Sequence, residues 1–328
     1  MESFVFAVNA VLPIILTVAI GYVLKRIGLM KEDFAKQANK LVFRVFLPVM
    51  LFLNIYKIGN LANIDFTYVI YAVATVLIIT AVAIPLIIFF TEEKSRRGVI
   101  LQAAFRSNYA LIGIPLATAL YGEEGAAVAT VLSAVIIPTF NILAVVTLSI
   151  FSDKNDKIDI KKILLGIVKN PLICGVAAGL LALGIRAMLV ELGVSFRLTD
   201  ITPIYTVLGY LSSLATPLAL LVLGAQFEFS AVSELKRDII FGTVLRTVAV
   251  PFIGLGAAYL FFRDVFSGAH FATLVAVFST PIAVSSVPMA QEMDGDVTLA
   301  GQLVIFTTLA SAITIFLASF LLKAAGIF

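Results

Sequence analysis

Two long apolar stretches of this chain are each interrupted near the middle by proline and polar residues. The first interruption covers residues 108–115 and the second covers residues 281–288. In a bilayer, backbone groups released from a helix must be satisfied by protein or by water, so non-helical segments persist where they line a cavity. Matched interruptions in the two halves of a chain are typical of the binding site of a transporter.

The composition predicts that these stretches lie in a membrane. Hydrophobic residues make up 61% of the chain and charged residues 13%, whereas soluble domains average about half and about a quarter. Ten charge-poor segments are long enough to cross the hydrocarbon layer, which requires about 20 residues each. The predicted spans are 3–26, 37–56, 66–91, 97–121, 124–151, 163–185, 201–227, 238–262, 266–291 and 296–322.

The distribution of charge predicts the orientation of these spans. When the first loop is placed in the cytoplasm, the cytoplasmic loops hold about three times as many lysines and arginines as the outer segments. The chain starts with Glu2 rather than a basic segment, and Lys25 and Arg26 follow the first span, which favours a membrane span over a cleaved signal. We therefore expect a multi-pass protein of the cell (inner or plasma) membrane with both termini outside.

The two halves can be aligned as an internal repeat. The matching positions are Pro13 with Pro171, Gly21 with Gly179, Pro48 with Pro217, Asn108 with Pro281, Pro115 with Pro288 and Gly122 with Gly295. Each half holds five spans, an odd number, so the second copy enters the membrane from the opposite side. Chance is the alternative, because glycine and proline are common in membrane helices. The predicted fold class is an all-α polytopic membrane protein of ten transmembrane helices in two inverted five-helix repeats, 1–152 and 163–328, joined by a short cytoplasmic connection at 153–162.

Two arginines share the depth of the first interruption. Counted from the cytoplasmic ends of their spans at about 1.5 Å per residue, Arg106 and Asn108 lie roughly 15 Å deep and Arg246 roughly 13 Å deep. A charge near the midplane is costly and faces a cavity or a partner. No aspartate or glutamate lies well inside a predicted span, so the sequence predicts that an anionic substrate supplies the negative charge. Alternatively, each arginine caps the carbonyl groups that end a half-helix.

The interruptions supply further candidate contacts, because a broken helix exposes N–H groups whose dipole attracts an anion. The candidate substrate-binding residues are Arg106, Asn108, Tyr109, Pro115, Pro281, Ser285, Ser286 and Arg246, and the candidate supporting residues are Asn141, Gln302 and Glu292. As alternatives, Pro115 and Pro288 only shape the chain, and the side chains of Asn141 and Gln302 only link helices. Asn54, at the end of the second span, is predicted to be interfacial.

Several segments resemble the auxin efflux carrier family, whose bacterial members include malate and malonate permeases and whose plant members include the PIN-formed auxin carriers. The segments are RSNYALIGIPL at 106–116, FLPVMLF at 46–52, TPLALLVLG at 216–224, NPLI at 170–173 and the stretch 281–289. The resemblance implies a scaffold of spans 1, 2, 6 and 7 and a moving transport domain of spans 3–5 and 8–10, with helices 4 and 9 broken and crossed. It also implies that Asn108 is the first crossover asparagine, whereas the matching place in the second unit holds Pro281.

These observations predict a secondary transporter rather than an enzyme. The expected cargo is a small organic carboxylate such as malate, malonate or an auxin-like acid, moved by an elevator-type mechanism, with uniport or proton movement favoured over a sodium site built on acids. The expected partners are this anion, the lipid bilayer and a second copy that binds through the scaffold spans; we expect no nucleic acid, cofactor or metal. The alternatives are a sodium- or proton-coupled ion or bile-acid-type transporter on a similar fold, which would need a buried acid, and a membrane receptor or sensor.

Overall fold

The computed structural model describes residues 2–57, 66–152 and 160–328, which fold into helices. In chain order the helices are α1 (Glu2–Arg26), α2 (Glu32–Tyr56), α3 (Phe66–Phe90), α4 (Lys94–Phe105), α5 (Tyr109–Ile150), α6 (Ile160–Lys169), α7 (Pro171–Glu191), α8 (Thr202–Gln226), α9 (Phe229–Glu234), α10 (Lys236–Phe262), α11 (Gly268–Ser279), α12 (Ser286–Glu292) and α13 (Val297–Ala324).

Seven of the helices in these described ranges are long and apolar enough to cross a bilayer, namely α2, α3, α5, α7, α8, α10 and α13. The predicted first span corresponds to α1. The predicted spans 4 and 9 do not form single long helices, because each is divided by an interruption. Helix α5 runs through the boundary predicted at 121–124 and bends there, since Tyr121 and Gly122 have non-helical backbone angles.

The predicted sixth span, 163–185, is placed wrongly. Two helices cover this region, α6 and then α7, and Asn170 separates them. The side-chain oxygen of Asn170 accepts a hydrogen bond from the N–H of Leu172, and Pro171 occupies the first turn of α7. Asparagine before proline is a strong signal for the start of a helix, so the apolar helix begins at Pro171 and reaches Glu191.

Wide turns precede three prolines of the chain. The π-helical segments Val42–Phe46, Tyr109–Gly113 and Leu245–Ala249 each end two residues before a proline, at Pro48, Pro115 and Pro251 respectively. A proline ring clashes with the carbonyl of the preceding turn and lacks an N–H group. A widened turn accommodates the ring, and such turns often occur at functional sites.

The two interruptions are shorter than predicted and begin earlier. The first consists of residues 106–108 between α4 and α5, and the second consists of residues 280–285 between α11 and α12. Pro115 and Pro288 therefore lie inside the following helices rather than at the ends of the breaks. Pro288 is tolerated as the third residue of α12 because the N–H groups there have no helical acceptor, and Pro115 is accommodated by the widened turn at Tyr109–Gly113.

The interruptions cross each other and pair as a short antiparallel bridge between Ser107 and Ile282. The backbone N–H of Asn108 donates to the carbonyl of Pro281 at 2.8 Å, and the N–H of Ala283 donates to the carbonyl of Arg106 at 3.2 Å. Backbone groups that leave their helices are thus satisfied within the protein, as a membrane interior requires. This crossing fixes the positions of the polar side chains on either side of it.

Helices α1 and α8 pack at very short range. A methyl group added to Gly224 would collide with the backbone oxygen of Val18, and one added to Gly21 would collide with the backbone of Leu221. Small residues allow membrane helices to approach until their backbones touch, which increases the van der Waals attraction between them. Helix α2 packs in the same way on α7, where Gly175 faces Pro48.

Candidate functional site

A cavity of about 240 Å³ lies where the crossing faces α2 and α8. Its walls come from the first interruption and the start of α5, from the middle of α5, from α2 and α8, from the first turn of α7, and from the second interruption. Among the residues predicted from the sequence, Arg106, Asn108, Tyr109, Asn141 and Ser285 line it. The fold therefore brings residues from three separate parts of the chain to one place.

The guanidinium group of Arg106 lies at the cavity wall and donates hydrogen bonds to neutral groups. Its Nη2 atom lies 2.9 Å from the hydroxyl oxygen of Ser285 and 3.1 Å from Oδ1 of Asn141. Its Nη1 atom lies 3.4 Å from Oε1 of Gln102 and 2.8 Å from the sulfur of Met289. These contacts hold the guanidinium in one orientation, but they supply no negative charge.

The positive charge of Arg106 is buried without a carboxylate. The residue is only 3% exposed, and the cavity has no aspartate or glutamate in its lining as far as the structure describes it. A buried charge is costly unless it is paired and hydrogen-bonded. An anion that enters the cavity would therefore find a cation that is already oriented and already stripped of water.

The start of α5 adds N–H donors to the same cavity that have no acceptor among the described residues. The first backbone bonds of this helix run from the N–H groups of Ile112 and Gly113 to the carbonyl of Asn108. The N–H groups at 109–111 precede these bonds, and all three residues line the cavity. The side-chain nitrogen Nδ2 of Asn108 is also buried without a hydrogen-bond partner among the described residues. Unpaired N–H groups at a helix start favour the binding of an anion.

The second interruption is built differently from the first. The N–H groups of Ser286 and Val287 bond to carbonyls within the interruption itself, so the start of α12 is largely closed. Ser285 reaches the cavity, whereas the hydroxyl of Ser286 is buried elsewhere and has no partner in the described part of the chain. Pro281 contributes its carbonyl to the crossing and does not line the cavity.

Arg246 does not reach the cavity. Its Nε atom donates to the carbonyl of Thr280 and its Nη2 atom donates to the carbonyl of Val277, both at 2.7 Å. These carbonyls end α11, where the helix dipole places partial negative charge. The substrate contact predicted for Arg246 is therefore replaced by the alternative, in which the arginine caps a half-helix.

Three further predicted residues also lie outside the cavity lining. Pro115 lines a neighbouring groove of about 610 Å³. Gln302 donates to the carbonyl of Glu228 at 2.9 Å, which matches its alternative reading as a link between elements. Glu292 pairs with Arg44, with 3.0 Å between Oε2 and Nη2, rather than with an arginine at the crossing.

Three polar residues of the cavity lining were missed from the sequence, namely Asn54, Ser107 and Thr216. Asn54 was expected at the membrane interface, but it lines the cavity together with Leu47, Met50 and Leu51 of the same helix. The spacing of these four residues is that of one helix face, which is a signal that the sequence contains. Which face of α2 points inward, however, is decided by its packing on α7 and α8.

The described residues contain no cluster of histidine, cysteine, aspartate and glutamate that could hold a metal ion. The described cavity lining offers a guanidinium, backbone N–H groups and neutral amide and hydroxyl groups, and its one charged group attracts anions. Crossed interruptions inside apolar helices, with a cationic cavity beside them, define the class of this protein as a multi-pass membrane transporter.

The comparison with known families agrees with this class. A family model described as membrane transport protein matches residues 6–319, so the chain belongs to that family. The resemblance to the auxin efflux carriers is thereby confirmed.

Two archaeal proteins are similar to this chain. An uncharacterized transporter of Methanothermobacter thermautotrophicus is 24% identical over 338 residues, which cover 95% of this chain and 97% of that protein. An uncharacterized transporter of Methanocaldococcus jannaschii is 30% identical over 123 residues, which cover 36% of this chain and 40% of that protein.

Proposed function

We propose that this protein is a secondary carrier that moves a small organic carboxylate across the membrane by alternating access. The observation that supports this most directly is the buried guanidinium of Arg106, which has only neutral hydrogen-bond partners and lies beside the open start of α5. A carboxylate placed there would accept hydrogen bonds from the guanidinium and from backbone N–H groups. Charge-assisted bonds of this kind are the strong ones.

The rest of the cavity favours a substrate with one negative group. Arg106 is the one charged side chain in the described lining, and most of the remaining wall is apolar, including Met50, Leu51, Phe140 and Val284. A second carboxylate would have to lie against these apolar groups, at a cost in desolvation. Asn54 and Thr216 offer only neutral contacts on the opposite wall. Among the expected acids, a monocarboxylate with a compact apolar body therefore fits better than a dicarboxylate such as malate.

We further propose that the helices form ten spans in two inverted repeats, with both termini outside the cell. The crossing of residues 106–108 with 280–285 supports this arrangement, because the two interruptions occupy equivalent places in the two halves. In this proposal α1, α2, α7 and α8 form the scaffold. The helices of the predicted spans 3–5 and 8–10, together with the crossing, form the transport unit that moves. The close packing of α1 on α8 and of α2 on α7 supports a rigid scaffold, and its outer face is the proposed dimer surface.

Transport of a cation or of bile-acid-type molecules is the weaker candidate. Intramembrane sites for cations are usually built on buried carboxylates. The described lining of this cavity contains none, and Glu292 is engaged with Arg44 at another place. Carbonyl groups at the crossing could hold a cation, but those of Arg106 and Pro281 already accept backbone hydrogen bonds.

The test is uptake of labelled carboxylates by vesicles that contain the purified protein. Asn108→Ala removes the unpaired amide, and Ser285→Ala removes a hydroxyl at the cavity, so both should lower uptake. Ser286→Ala is the matched control, because its hydroxyl is buried outside the cavity lining and has no partner among the described residues. Unchanged carboxylate uptake in Asn108→Ala would count against this site. Uptake of sodium by the same vesicles without uptake of a carboxylate would favour the alternative.

A further inference from the structure

A group of polar side chains ties the end of α12 to two other helices, at a distance from the cavity. Oε1 of Gln291 accepts hydrogen bonds from Nδ2 of Asn39 at 2.7 Å and from Nε2 of Gln226 at 3.2 Å. The neighbouring residue, Glu292, accepts from Nε and Nη2 of Arg44 at 3.1 and 3.0 Å. We name these five residues the Gln291–Glu292 latch.

The two sides of the latch belong to different units of the proposed carrier. Asn39 and Arg44 lie on α2 and Gln226 ends α8, which are both scaffold helices. On the other side, the loop after α12 is bound to α4 and leads into α13: the N–H of Asp296 donates to the carbonyl of Ser95 at 3.1 Å. The side chain of Asp296 also accepts from Arg96 at 3.2 Å. The end of α12 is therefore hydrogen-bonded to the unit that contains the crossing, and the bonds of the latch join it to the scaffold.

The latch and the cavity contact different parts of the scaffold. The cavity is lined by α2 from Leu47 to Asn54 and by α8 from Ala215 to Ala219. The latch uses the earlier part of α2 and the last residue of α8. Helices α2 and α8 run in opposite directions through the predicted membrane. The earlier part of α2 and the end of α8 therefore lie on the same side of it. The latch thus closes the interface between the units on one side of the cavity.

Among the described residues, a groove adjoins the cavity and extends away from the latch. The groove of about 610 Å³ shares Met50, Leu111 and Thr216 with the cavity and continues to Pro115 on α5 and Ser213 on α8. These last two residues lie farther from the latch along their helices than the cavity does. Among the described residues, a groove thus adjoins the cavity away from the latch, and polar contacts join the units at the latch.

The bonds of the latch suit a closure that must open and re-form. The two bonds to Gln291 are neutral hydrogen bonds, which contribute little individually, and the Arg44 side chain of the ion pair is 56% exposed, which weakens that pair. Oδ1 of Asn39 and Oε1 of Gln226 are buried without partners among the described residues. These unpaired oxygens would gain hydrogen bonds to water when the units separate, which lowers the cost of opening.

From this geometry we infer that Gln291 and Glu292 are gating residues, which hold the carrier in the state where the cavity opens away from the latch. The inference rests on the alternating-access part of the proposed function. Loss of the latch should shift the population towards the state in which the cavity opens on the latch side.

The test measures access to the cavity from each side of the membrane. Met50→Cys, in a Cys174→Ser background that removes the exposed native thiol, is treated with a membrane-impermeant maleimide in vesicles of both orientations. With the latch intact, labelling should be faster from the side opposite the latch. Gln291→Ala combined with Glu292→Gln should change the ratio of the two labelling rates by roughly tenfold towards the latch side, as expected for the loss of a few weak bonds.

Two further variants keep the test decisive. Glu32→Gln removes an ion pair between the side chains of Glu32 and Lys36 within α2 and leaves the bond from Gln291 to the backbone carbonyl of Lys36 in place, so the labelling ratio should stay at the starting value. The exchange of Arg44→Glu with Glu292→Arg should restore the ratio, whereas either change alone should shift it. An unchanged ratio in the Gln291 and Glu292 variant, or an equal shift in Glu32→Gln, would overturn the inference.

The experiment also separates this inference from the proposed function. Labelling needs no substrate, so a shift in the ratio supports the latch even in vesicles that take up no carboxylate, in which case the proposed cargo is wrong. If carboxylate uptake is normal and the latch variants leave the labelling ratio unchanged, the gating role of Gln291 and Glu292 is refuted and the carrier function stands.

Discussion

Replacing Arg106 by glutamine removes the positive charge from the described cavity lining while an amide remains in its place. The guanidinium donates to Asn141 and Ser285 through one nitrogen and to Gln102 and Met289 through the other. Glutamine is shorter and has a single NH₂ group, so it can satisfy only part of this set. The change therefore tests both the charge and the orientation of the site.

The expected effect on binding follows from the type of bond that is lost. A hydrogen bond to a charged group contributes about 1.5–3 kcal/mol. Since 1.4 kcal/mol corresponds to tenfold in affinity, the Kd of a bound carboxylate should rise roughly 10- to 150-fold in Arg106→Gln. Arg106 is only 3% exposed, so added salt should screen this effect only weakly, unlike that of a surface charge.

The measurement is calorimetric titration of the purified protein with a monocarboxylate, accompanied by thermal unfolding. Arg106→Lys is the control for charge, because lysine keeps the cation but cannot donate from two nitrogens in a fixed plane. Its Kd should lie between those of the native protein and Arg106→Gln. The reasoning fails if Arg106→Gln is folded and binds the acid within about threefold of the native Kd, since this charge would then contribute less than about 0.7 kcal/mol.

Three other substitutions test the packing around the site by thermal or denaturant unfolding. Arg246→Gln removes two bonds to the carbonyls that end α11 and should lower the free energy of unfolding by about 2–4 kcal/mol, while the carboxylate Kd stays within about twofold because the residue is outside the cavity lining. Gly224→Ala should cost about 1–3 kcal/mol through the collision with α1, whereas Gly209→Ala, which has open space around it, should be neutral or slightly stabilising. Tyr109→Phe should cost about 1 kcal/mol, because the hydroxyl donates to the carbonyl of Ala129 at 2.8 Å.

The parts of the site that could be predicted from the sequence are those encoded by local chemistry. Proline and asparagine inside an apolar stretch indicate an interruption, and Arg106 and Asn108 belong to the first of them. The same reasoning placed Asn108 and Ser285 near each other, since both lie in interruptions. It gave the wrong limits for the breaks, because Pro115 and Pro288 lie inside helices and not in the non-helical segments.

The rotation of each helix about its axis could not be predicted in this way. Depth alone puts Arg246 beside Arg106, yet Arg246 turns towards the end of α11 and caps its carbonyls. Asn54 was expected at the interface, yet its face of α2 lines the cavity. In both cases packing between helices selects the direction of the side chain, and the sequence of one chain gives little information on that packing. The pairing of Arg44 with Glu292 joins residues 248 positions apart and depends on the same packing.

The two crossed interruptions differ in a way that has a functional consequence. In the described part of the chain, the N–H groups at 109–111 and the amide nitrogen of Asn108, beside Arg106, have no hydrogen-bond acceptor, whereas the second interruption uses its own carbonyls to close the start of α12. An anion at the crossing would therefore bind mainly to the first interruption. The second interruption would contribute the hydroxyl of Ser285, while Arg246 caps the carbonyls that end α11. Substitutions in the first interruption should consequently change the Kd of the carboxylate, while those in the second, apart from Ser285, should change stability. If equivalent substitutions in both interruptions changed the Kd equally, the anion would lie across the crossing, and the asymmetry of the N–H groups would not determine where it binds.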